Sequence, residues 1–175
     1  ANKLIANNCV LISQHADSMG APTACETAGV PNVSYNGSTV AACPNTFIVS
    51  SRIDWTPFFV YAINCVASGE DIGYDWTGTL ATGSVVLTDV NEQAAAAGTA
   101  EKIAEVMKAL ENGSVKVFDT APFTVNGETV TTSLADVDDL GDYVGETEAI
   151  SDGVFLESFY RSAPYFDLDI DGITN

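Results

Sequence analysis

Basic residues are scarce. Only six lysines and arginines occur in 175 positions, against 24 aspartates and glutamates, for a formal net charge of -18. A nucleic-acid backbone needs a Lys/Arg surface, and none can be assembled here, so nucleic acid is excluded as a partner. An anionic membrane surface is disfavoured for the same reason. Histidine is scarcer still, with His15 the only one. The four cysteines, Cys9, Cys25, Cys43 and Cys65, form no C-x-x-C pair. Together these absences remove the zinc patterns. No apolar run approaches the roughly 18 to 20 residues of a membrane helix. Cys9 and Cys65 lie in apolar runs, where buried free thiols are common, so free thiols are expected, with Cys25 and Cys43 the pair to check.

What is present is globular. Apolar residues make up 46% of the chain and charged ones 17%, which suits one ordinary domain with a real core rather than a disordered chain. The acidic residues crowd the last third, around Asp136 to Glu148 and Asp167 to Asp171, and read as a solvated surface.

Residues 1–7 read as the tail of a helix whose beginning is absent. The run CVLISQ, 9–14, is a short buried strand. Residues 22–28 are helical, with Pro22 in the first turn and Gly29 as a stop. Strands follow at 30–38 and 46–51, and a helix at 54–67 with Pro57 near its start and Gly69 closing it. Strand, helix and strand in so few residues make a βαβ unit and imply a parallel sheet. A further strand is expected at 83–90. Asp89 and Glu92 then have capping-box spacing for a helix running to about Asn112. Residues 114–120 read as a strand and 123–132 as a hairpin about Asn126-Gly127. Residues 133–149 read as acidic and irregular, and 150–160 as a short helix or turn.

In open α/β sheets, ligands sit beyond the carboxyl ends of the parallel strands. Three such ends carry polar groups here: Gln14, His15, Asp17 and Ser18; then Tyr35-Asn36; then Ser50-Ser51-Arg52, followed by Asp54 and Trp55. Gln, Asn and Asp match the edge of a heterocycle, and Trp or Tyr gives a flat face to stack on. The same residues could instead cap loops without a ligand. A triad of His15, Asp17 and Ser18 is disfavoured, because all three lie on one short loop and no G-x-S-x-G elbow is present. Asp167, Asp169 and Asp171, followed by Gly172, match the first half of a calcium loop without its closing glutamate, and an acidic tail is the plainer reading.

The segment A-x-K-L-I-A-x-x-C-V-L-I-S-Q-H-A-D-S, residues 1–18, resembles the Q-H-x-D-S segment of the BMP (basic membrane protein) family, substrate-binding lipoproteins of ABC importers. The likeness continues through Ala24-Cys25-Glu26, Tyr35-Asn36, Phe47-Ile48-Val49-Ser50, the Trp55 helix and Gly83 to Leu87, and ends near Asn126-Gly127. It implies a periplasmic-binding-protein-like fold of type I, a three-layer α/β arrangement of parallel sheet flanked by helices, closing on a purine nucleoside or base between two lobes. It implies no enzyme activity and no cofactor, an ABC permease as partner, and a lipid-anchored protein at the extracellular face of the membrane or in the periplasm. Asn36 falls on the family's ligand-contacting Asp/Asn, and Gln14 to Ser18 on its first loop. The family's third contact aligns nearest Ile53, which leaves Arg52, Asp54 and Trp55 as its alternatives. Against the family's length, the chain corresponds to a C-terminal portion and an incomplete two-lobed fold, with 83–132 belonging to the other lobe in longer relatives. Unpartnered segments of this kind suggest a homodimer. A ligand-sensing or interaction module on the same fold is the alternative function.

Overall fold

A computed structural model describes residues 1–137, 144–160 and 166–173. The chain divides into two compact units, Ala1–Asn112 and Gly113–Asn175.

The first unit is mixed α/β. It runs α1 (Asn2–Ala6), β1 (Ile12–Ser13), α2 (Gly20–Ala28), β2 (Asn32–Tyr35), β3 (Phe47–Ile53), α3 (Thr56–Ser68), β4 (Val85–Leu87) and α4 (Thr99–Glu111). The sheet order is β1-β2-β3-β4. The first three strands are parallel, as the βαβ spacing predicts. The fourth corrects the expectation of an all-parallel sheet, because β4 pairs antiparallel with β3 through Ser51 opposite Leu87 and Ile53 opposite Val85. The connection from β3 passes through α3 and then doubles back through residues 69–84, so β4 returns against the direction of β3. The unit is thus built on a four-stranded mixed sheet, with α2 packed on β2.

Helix boundaries follow local chemistry. Gly29 and Gly69 end α2 and α3 in the left-handed conformation, at φ 68° and 75°, where a Cβ would be strained. Pro57 sits in the first turn of α3, where its missing N–H costs nothing. The expected capping box at Asp89 and Glu92 does not form, since α4 begins only at Thr99 after Gly98. The intervening segment is held instead by Asn91, whose side-chain amide donates to the carbonyls of Pro44 and Phe47 at 2.8 Å each.

The core of this unit holds Ile12, Pro22, Cys25, Cys43, Phe47 and Cys65. It is unusually polar along the strands: Asn32, Ser34, Thr39, Thr46, Ser50 and Ser84 are all buried. Most are paired, as burial demands. Asn32 Nδ2 donates to Thr46 Oγ1 at 3.1 Å, and the Ser34 and Thr39 hydroxyls bond at 3.0 Å.

The second unit is built of short antiparallel pairs: β5 (Thr124–Val125) with β6 (Glu128–Thr129), β7 (Leu134–Ala135) with β8 (Thr147–Glu148), and β9 (Ile150–Ser151) with β10 (Val154–Phe155), followed by α5 (Glu157–Tyr160). Its core is Val130, Ala135, Ala149, Ile150, Phe155 and Ile170. The Asn126-Gly127 hairpin forms as expected, with φ 52° and 80° at the two turn residues. Residues 114–120 are not a strand; only Asp119 bridges to Val154, and Val117 is 72% exposed. Residues 150–160 begin with a second hairpin, about Asp152-Gly153, before the short helix. Part of the acidic cluster is not a solvated surface either: Asp136 is buried, while 138–143 lie outside the described residues.

Candidate functional site

Parallel pairing sets the geometry at the strand ends. Ser13 lies opposite Val33, so the next residues out, Gln14 and His15, come up beside Ser34 and Tyr35. Gln14 Nε2 donates to Ser34 Oγ at 3.4 Å. The imidazole of His15 stacks on Tyr35 with ring centroids 3.9 Å apart. On the other side of β2, the Asn36 amide donates to the Ser51 carbonyl at 2.6 Å, and the Gly37 amide donates to Ser50 Oγ at 3.3 Å. Asn36 takes a left-handed φ of 63°, which turns the chain off the strand and is tolerated by Asn better than by most side chains. Thus Gln14, His15 and Asn36 are brought onto one edge of the sheet, at the carboxyl ends of neighbouring strands.

One atom in this cluster stands out. Gln14 Oε1 is buried and has no hydrogen-bond partner. A buried acceptor without a donor costs about 1–3 kcal/mol, so such an atom is met by ordered water, an ion or a ligand, or is held as strain.

The remaining expected residues divide. Asp17 and Ser18 lie exposed on the loop between β1 and α2. Arg52 and Asp54 engage each other, Nη2 to Oδ2 at 3.6 Å. Asp54 Oδ1 also accepts the Thr56 amide at 2.9 Å, and the Thr56 hydrogen bonds hold the Asp54 carboxyl below the usual range, aided by the Arg52 charge. Trp55 meets Phe58 edge-on at 6.1 Å and Phe59 at 6.4 Å, and is 58% exposed. These three therefore form their own group at the start of α3, with ring contacts along the helix rather than to His15 or Tyr35. Arg52 also lines a hollow of about 410 Å³ with Ser38, Thr88, Asp89 and Asn91.

Of the weak calcium candidate Asp167, Asp169 and Asp171, the last is engaged within the protein. Asp171 accepts hydrogen bonds from Thr124 Oγ1 at 2.7 Å, the Asn126 amide at 3.0 Å and the Gly127 amide at 2.8 Å. Its carboxylate clasps the hairpin turn, and the Thr124 and turn-amide bonds lower its pKa. Among the described residues no group of three His, Cys, Asp or Glu side chains could hold a metal ion.

Sequence reasoning placed Ser50 at the end of the third strand but missed Ser34, whose hydroxyl accepts from the Gln14 amide. Its signal was available in the alternation of Asn32 and Ser34 with Val33 and Tyr35, which places polar side chains on one face of an interior strand.

No protein-family model matches the chain, and no curated protein matches it significantly.

Proposed function

We propose that the chain binds a small planar heterocycle, a purine nucleoside or base, at the carboxyl ends of β1, β2 and β3, as the substrate-binding component of an ABC importer with a periplasmic-binding-protein-like fold. The observation that carries this reading is the buried, unpaired Gln14 Oε1 beside the His15–Tyr35 stack. An acceptor of this kind takes an N–H or O–H donor, and the ring pair offers a flat apolar face next to it. Asn36, Asp17 and Ser18 stand on the adjoining loops with further donors and acceptors. The importer role and the purine class rest on the Q-H-x-D-S resemblance, as do the permease partner and the lipid-anchored location.

If this chain supplies about half the contacts of a micromolar site, its own affinity falls near millimolar, because half of about -8 kcal/mol is about -4. The test is titration of the chain with adenine, adenosine, guanosine and inosine, followed by amide chemical shifts. Saturable shifts at residues 14–18 and 34–37, weakened at least about tenfold in Gln14→Leu, are expected from the loss of one buried hydrogen bond. No saturable shift with any of the four would sink the purine assignment.

A further inference from the structure

Helix α3 has the sequence TPFFVYAINCVAS, without one charged residue. At 100° per residue its inner side carries Phe58, Tyr61, Ala62 and buried Cys65, and the 70–78 segment covers part of that side. There Phe58 meets Trp76 at 5.6 Å, and the Tyr61 hydroxyl accepts the Gly73 amide at 2.9 Å. The opposite side should then be polar, and it is not. Trp55, Phe59, Val60, Ile63 and Val66 fall within one stripe, and they are 51–71% exposed. A helix that is apolar all round belongs in an interior.

We infer that this face is a self-association surface, on which α3 of a second copy packs antiparallel about a two-fold axis. The stripe is self-complementary in that arrangement. Trp55 of one copy falls opposite Val66 of the other, and Phe59 opposite Ile63, so each large ring meets an aliphatic side chain and every contact occurs twice. Five half-exposed apolar side chains present about 600 Å² per copy, and two copies bury about 1,200 Å², the lower end of a stable specific interface. The absence of charge on α3 matters in a chain of net charge -18, because two copies can meet here without burying an unpaired carboxylate. A lipid surface fits poorly. An interfacial helix needs a basic polar face, and no helix among the described residues is long and apolar enough to cross a membrane.

Sedimentation velocity at about 100 μM, above the affinity expected of a small interface, tests this. The wild-type chain is expected to be a dimer that tightens with added salt, since salt screens the repulsion between two acidic copies. Ile63→Glu is expected to give a monomer with an unchanged far-UV circular dichroism spectrum, the side chain being exposed in the single copy. Lys102→Gln makes the same change in net charge away from the stripe and is expected to stay dimeric. A wild-type monomer, a dimer that loosens with salt, an Ile63→Glu dimer, or equal dissociation of both variants would each overturn the assignment.

Discussion

The imidazole of His15 lies on the phenol ring of Tyr35, centroids 3.9 Å apart and planes 24° from parallel. The two residues are 20 positions apart in the chain, and only the parallel register of β1 on β2 makes them neighbours. The stack therefore reports on the strand pairing and on the platform of the candidate site at once. An aromatic pair of this geometry is worth about 1 kcal/mol beyond its area. A double-mutant cycle of His15→Ala and Tyr35→Leu, read by urea unfolding, is expected to return a coupling energy of about that size. Strict additivity of the two substitutions would mean that the rings do not stack in solution.

Glu26 contributes to the acid stability of the first unit. Its carboxylate accepts Thr46 Oγ1 at 2.8 Å and both the backbone amide and the side-chain amide of Asn45, which ties the end of α2 to the residues leading into β3. Desolvation alone would raise the Glu26 pKa, but the hydrogen bonds from Thr46 and Asn45 together outweigh it and the pKa is lowered. A folded-state pKa below the unfolded one contributes stability above the unfolded value, near 4.3 for Glu, and that stability is lost as pH falls through the lowered folded value. Glu26→Gln is thus expected to lower the urea midpoint at pH 7, and the gap from wild type is expected to close as the pH drops below the Glu range. A gap of constant size down to about pH 3, well under that range, would show that the charge is not what holds the clamp.

Much of this arrangement was legible in the sequence, for local reasons. The helix stops at Gly29 and Gly69 and the Asn126-Gly127 turn each follow from the conformations that a few adjacent residues prefer, and each is present, whereas the run at 9–14 forms strand only at Ile12–Ser13 and leaves Val10 and Leu11 exposed. What failed depended on partners distant in sequence. Val115 and Val117 have the alternation of a strand, but no strand pairs with them, and they stand 46% and 72% exposed. Asp89 and Glu92 have capping spacing, yet the side chain of neighbouring Asn91 finds the carbonyls of Pro44 and Phe47 and fixes that segment against β3. The D-x-D-x-D-G spacing of residues 167–172 likewise gives no sign that the Asp171 carboxylate is spent on a turn 44 to 47 residues earlier. At the candidate site, the convergence of Gln14, His15 and Asn36 followed from the βαβ pattern. The separation of Arg52, Asp54 and Trp55 did not, since it comes from an ion pair and an aromatic cluster formed after β3 ends.

The cysteines give a last test, because burial and chemistry point the same way. All four are free thiols; Cys25, Cys43 and Cys65 are buried, and Cys9 is only partly so. Cys43 Sγ donates to the Thr39 carbonyl at 3.1 Å, which holds the thiol inward. Burial pushes the Cys25 thiol up, the amino terminus lowers it in part, and Cys43 adds to the rise, so Cys25 stays protonated at mildly alkaline pH. The thiolate is the species that attacks a disulfide reagent, and a buried, protonated thiol is therefore doubly protected. In the native chain at pH 8, Cys9 is expected to react first with an aromatic disulfide, with Cys25 and Cys43 reacting only on the timescale of unfolding. Adding denaturant should then release all four at similar rates. Fast native labelling of Cys25 would mean that α2 opens away from β2 far more readily than its zero exposure allows. It would also remove the rigid backing on which the ends of β1 and β2, and with them Gln14 and Tyr35, are held in place.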